Sequence, residues 1–142
     1  MAHRKILTTA ALLVVLVTAV ASGQKSPTPD AQLAAFVGTW AFTMTEPEAL
    51  KGSQQTIRVS QKNGVIGASV QIGKFPAIEA TGIFKDGEML VFTISHQAGM
   101  RENGAPIWAV ISLIMDGDTM RTAQMLEKSQ TIKRGVGKRV PD

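Results

Sequence analysis

QQTIRVSQKNGVIGASVQI, residues 54–72, reads as two alternating runs folded back on a turn. Ile57 and Val59 fall on one side of the first run, and Ile66, Ala68, Val70 and Ile72 on one side of the second. That period of two is the mark of strands with one face against a core. Between the runs, Lys62-Asn63-Gly64 supplies an Asn-Gly pair that tolerates the positive φ of a tight hairpin. The same pattern continues outward. Lys85-Asp86-Gly87 and Asp116-Gly117-Asp118 are further hairpin signatures, while Trp40, Phe42, Met44 and Leu90, Phe92, Ile94, His96 form further alternating sets expected to face the core. No later segment sustains a helical period. The expected strands are Gly38 to Thr45, Gln54 to Ser60, Val65 to Ile72, Ala77 to Phe84, Glu88 to His96, Pro106 to Met115, Thr119 to Leu126 and Gln130 to Arg139. The fold class is all-β, an eight-stranded antiparallel up-and-down barrel with a short N-terminal helix from Asp30 to Phe36.

The turns orient the barrel. In a meander, alternate connections lie at the same end, so the three hairpins close one end. The other end receives the longer connections 46–53, 73–76 and 97–105. An eight-stranded barrel lowers its edge problem by closing and has an interior wide enough for side chains or one small ligand.

Ahead of the barrel, His3, Arg4 and Lys5 precede an apolar stretch from Ile6 to Val20, and Ala19 and Ala21 form an A-x-A cleavage site. Residues 1–21 read as a signal peptide with the mature chain starting near Ser22, the apolar core being shorter than the roughly 20 residues of a bilayer span. No membrane span is expected after cleavage. The segment 22–30, with two prolines, is expected to be a flexible leader, and 31–142 a single domain.

Composition excludes several chemistries. The chain has no cysteine, hence no disulfide framework, thiolate nucleophile or Cys-ligated zinc. That absence in an exported chain suits bacterial secretion or the periplasm. Formal net charge is +4, but the mature chain is nearly balanced once Arg4 and Lys5 leave. Lys128, Lys133, Arg134, Lys138 and Arg139 gather at the C-terminus without interleaved aromatics, and read as a solvated edge of the last strand rather than a nucleic-acid surface. His96 is the one histidine of the mature chain, too few for a metal ligand set, and Ser95 and Ser112 have no other histidine to serve as base. No catalytic residue and no cofactor is assigned, and Glu79 is expected to point outward.

At Gly38-Thr39-Trp40, opening the first strand after a short helix, the chain resembles the calycin superfamily of lipocalin-like and avidin-like barrels. The resemblance implies a tryptophan packed at the closed end beneath a basic side chain from the end of the last strand. Closure likewise sets that strand end beside the first strand, so Lys138 or Arg139 is expected on Trp40. Gly38, Trp40 and Arg139 are the structural set. A Thr-Asp-Tyr type motif and a C-terminal helix are absent, and with no tyrosine and two tryptophans a biotin site is not implied.

Two functional readings follow. The first is a binding module taking a small, mostly apolar molecule at the open end, past Met44, Phe75, Ile94, His96, Met100 and Leu126. His96 there is either a ligand-contacting group or a half-exposed loop histidine. The second is a non-enzymatic interaction protein. Strand 6 is apolar on both faces, with Ile107, Ala109, Ile111, Leu113 and Met115 on one and Trp108, Val110 and Ile114 on the other. The latter set is either a partner or homo-oligomer surface or is covered by the N-terminal helix.

Overall fold

The computed structural model describes residues 29–96, 107–127, 129 and 131–141. The expected signal peptide and nearly all of the leader lie outside the described residues. A short helix α1 (Pro29–Ala34) comes first, starting on a proline, which suits the first turn because its missing N–H would have had no helical partner. The helix thus starts one residue before the expected Asp30.

Among the described residues nine strands follow: β1 (Gly38–Glu46), β2 (Gln54–Lys62), β3 (Val65–Ile72), β4 (Ile78–Glu79), β5 (Thr81–Asp86), β6 (Met89–His96), β7 (Ile107–Asp116), β8 (Thr119–Leu126) and β9 (Ile132–Arg139). A 3-10 turn, η1 (Glu48–Leu50), lies between β1 and β2. All strand pairs are antiparallel, in the order β4-β3-β2-β1-β9-β8-β7-β6-β5. The ninth strand arises because the expected fourth, Ala77 to Phe84, bends and is shared. Its first half pairs with β3 through Ser69–Glu79 and Val70–Ile78, and the Ala80 N–H donates to the Ala68 carbonyl at 2.8 Å. From Thr81, which pairs with Thr93, the chain belongs to β6 instead. The two outermost strands of the sheet are therefore successive pieces of one run, and the sheet is a nearly closed barrel.

Past the bend the wall parts, since no ladder among the described residues joins β3 to β5. The gap holds a depression of about 320 Å³ lined by Leu33, Ile66, Ile83, Phe84 and Leu90, so α1 sits against this seam.

The hairpin loops refine the turn chemistry. In the β2–β3 loop both residues have positive φ, Asn63 at 53° and Gly64 at 74°. In the other two, glycine takes the first loop position, Gly87 at 59° and Gly117 at 65°, while Asp86 and Asp116 close the preceding strands. These are loops with one positive φ rather than two, so the aspartates need not supply it.

The interior follows the alternation. Trp40, Phe42, Met44, Ile57, Val59, Val70, Leu90, Phe92, Ile94, Ile111, Leu113 and Met120 are all buried. Large β1 side chains fit because β9 presents glycines opposite them: Phe42 pairs with Gly137 and Met44 with Gly135. A methyl group on Gly137 would come within 2.7 Å of the Phe42 ring, and one on Gly135 within 2.9 Å of the Met44 sulfur. The middle of the barrel is filled by its own side chains.

Candidate functional site at the open end of the barrel

The two ends differ in what holds them. At the hairpin end, the Trp40 ring is fully buried and its Nε1 donates to the Phe36 carbonyl at 2.9 Å. The Arg139 guanidinium lies 4.3 Å from the ring centroid and donates to the carbonyls of Val37 at 2.6 Å and Ala35 at 3.1 Å. Gly38 passes beneath Arg139 where a side chain would collide with it. Gly38, Trp40 and Arg139 thus come together and tie the chain after α1, the start of β1 and the end of β9 into one plug. Lys138 is exposed and belongs to the opposite face of the strand.

The other end has longer connections. The chain after η1 folds back on the end of β1, with Met44 donating to the Ser53 carbonyl at 2.8 Å and Gly52 donating to the Met44 carbonyl at 2.9 Å. Met44 and Ile94 are buried there, and Leu126 is half-buried against the core. Phe75, in the β3–β4 connection, stands out of the interior at 59% exposed. His96 is the last residue of β6, its backbone paired with Ile107, and Met100 lies outside the described residues. Met44, Ile94 and Leu126 can thus form a floor, while Phe75 belongs to the rim.

Sequence reasoning missed the polar groups of this end. Gln55 of β2 and Gln124 of β8 point inward, 8% and 7% exposed, and meet inside the barrel across β1 and β9. Gln124 Nε2 donates to Gln55 Oε1 at 2.7 Å and Gln55 Nε2 donates to Gln124 Oε1 at 3.1 Å. Gln124 Nε2 also reaches Thr122 Oγ1 at 3.4 Å, and Thr122 in turn donates to the Ser112 carbonyl at 3.1 Å. Lys133, paired with Gln124 in register and two residues before Gly135, is half-buried on the inward side of β9. The signal was in the phase: Gln55 precedes Ile57 and Val59 at two-residue steps, and Thr122 and Gln124 follow Met120. Counting only apolar residues hid it.

Among the described residues no three His, Asp or Glu side chains come together in a way that could hold a metal ion. Glu79 is exposed.

On the outside, Trp108, Val110, Met125 and Ile132 are 44%, 41%, 47% and 41% exposed. Val110, Met125 and Ile132 surround the small residues Ser112 and Ala123, leaving a shallow depression of about 190 Å³. The helix leaves Trp108 and Val110 uncovered, whereas Ile114 is half-buried. Next to this face Arg134 pairs with Glu46 at 3.4 Å and Arg121 with Asp116 at 3.2 Å, both well exposed and so of small energetic weight.

The class the fold defines is a small, nearly closed antiparallel β-barrel. No family model and no curated protein matches the chain. Among solved structures, the fluorescent protein UnaG in its wild-type form is similar at 14% identity and a TM-score of 0.48, over 76% of this chain and 99% of that one. A single-site mutant of UnaG is similar at 13% identity and a TM-score of 0.47, over 78% and 99%. The likeness concerns the path of the chain alone.

Proposed function

We propose that this is an exported, calycin-type barrel that binds one small, mostly apolar molecule at the end opposite the Trp40 plug. The observation that carries the reading is the Gln55–Gln124 pair. A mostly apolar interior gains nothing from two buried amides, because polar groups there must be desolvated and then repaired with hydrogen bonds. Their position, close beneath the long connections and still slightly exposed, gives a ligand both an apolar floor and a few convergent polar groups, the usual makeup of a binding pocket. Met44, whose thioether is adaptable, can repack around an incoming group.

The test is a titration with Nile red, an uncharged apolar fluorophore. The folded protein should bind it about stoichiometrically, Leu126→Asp should weaken binding, and Lys62→Ala at the opposite end should leave it unchanged. Binding that ignores Leu126→Asp and is lost in Trp108→Ser would instead locate the apolar surface on the outside of β7.

That outer face supports a second reading, a partner or self-association surface, because four large apolar side chains lie exposed side by side on β7, β8 and β9.

A further inference from the structure

The two amides also indicate what the ligand carries. Resting on the open-end reading, we infer that the ligand's polar end is an uncharged carboxamide or lactam, whose adjacent N–H and C=O take the place of one glutamine in the pair. The argument starts from the reciprocity. Each amide donates to the other's oxygen, at 2.7 and 3.1 Å, which makes a cyclic pair in which every edge offers one donor beside one acceptor. A molecule that replaces one partner without leaving a buried polar atom unsatisfied must offer the same edge. Carboxamides and lactams do. An ether or ester has no donor, and a carboxylate has no donor and would face the remaining glutamine oxygen with negative charge in a poorly solvated site.

The two halves of the pair are not equivalent. Gln124 has a further contact to Thr122 Oγ1, itself fixed to the Ser112 carbonyl, and so is the anchored half. Gln55 lies one residue inside the start of β2, beside the exposed Gln54, and is the half a ligand replaces. Lys133 does not change the choice, because a half-exposed lysine can carry its stem along the apolar wall and keep its ammonium in water.

The experiment is displacement of Nile red by dodecanamide, N,N-dimethyldodecanamide and dodecanoate, three molecules with one tail and different heads. Dodecanamide should compete about tenfold or more better than its dimethyl analogue, the ratio expected for one hydrogen-bonded donor lost in a buried site, and should also outcompete dodecanoate. In the double variant Gln55→Leu/Gln124→Leu, which removes both partners and so leaves no orphaned amide, the ratio of competition by dodecanamide to that by its dimethyl analogue should fall to about one, with Nile red affinity measured afresh in the variant. Equal competition by the two amides in the native protein overturns the inference and leaves the open-end reading standing. So does a preference that survives in the double variant, and a preference for dodecanoate replaces the amide with an anion. Failure of Nile red to bind at all removes both readings together.

Discussion

Trp40 and Trp108 are the chain's two tryptophans, and they show how much a position decides. Trp40 is wholly buried, hydrogen-bonded through its ring nitrogen and covered by Arg139. Trp40→Ala should cost about 3–5 kcal/mol in denaturant unfolding, the range for a large aromatic truncated in a core. A loss below about 1 kcal/mol would mean that the ring is not the plug of the closed end. On the facing strand, Gly137→Ala should destabilise by about 1–3 kcal/mol, because the added methyl meets the Phe42 ring at 2.7 Å and neither strand can retreat from the ladder. Trp40 was legible because its tripeptide, its place at the start of β1 and the meander's closure all point to one spot. Gln55 and Gln124 were not, because a polar residue in the inward phase looks in isolation like a lapse of the pattern, and its partner is far away in sequence.

Among the elements, the hairpins were readable and the seam was not. Asn63-Gly64, Gly87 and Gly117 are local signals acting over a few residues, and local chemistry settles them. The break of the expected fourth strand into β4 and β5 depends on which neighbour each half can pair with, β3 or β6, and those strands lie on opposite sides in sequence. Alternation across Ala77 to Phe84 says that the run is extended but not with whom it bonds. The loop chemistry makes its own prediction. Because Gly87 alone of its loop takes positive φ, Gly87→Ala should cost about 1–2 kcal/mol for forcing an L-residue into the left-handed region. Asp86→Ala, in an exposed strand residue, should stay within about 0.5 kcal/mol. Equal losses in the two variants, read from midpoints of urea unfolding, would show that the aspartate shapes the loop.

For the whole molecule, the competing readings place function on different surfaces, the inside of one end or the outside of one wall, and each surface contains a different reporter. The inward set of β7, Ala109, Ile111 and Leu113, is spent on the core, so Trp108 and Val110 project away from it. If the outer face stays free while ligands enter at the open end, Trp108 must remain in contact with water in the isolated protein. A Trp40→Phe variant retains Trp108 as its single tryptophan, and phenylalanine keeps most of the buried ring volume at the plug. Its emission should be red-shifted and readily quenched by acrylamide, to the same extent from low to high micromolar protein. The Trp108→Phe variant, retaining buried Trp40, should emit further to the blue and resist the quencher. Addition of an open-end ligand should leave Trp108 quenching unchanged, since Trp108 projects outward from β7 while the proposed ligand sits on the inward face of the barrel. Protection of Trp108 that grows with protein concentration would mean that the faces of two copies meet over Trp108, Val110, Met125 and Ile132. In that case burial of apolar area on the outside of the barrel, not capture of a small molecule within it, is what this fold was shaped to do.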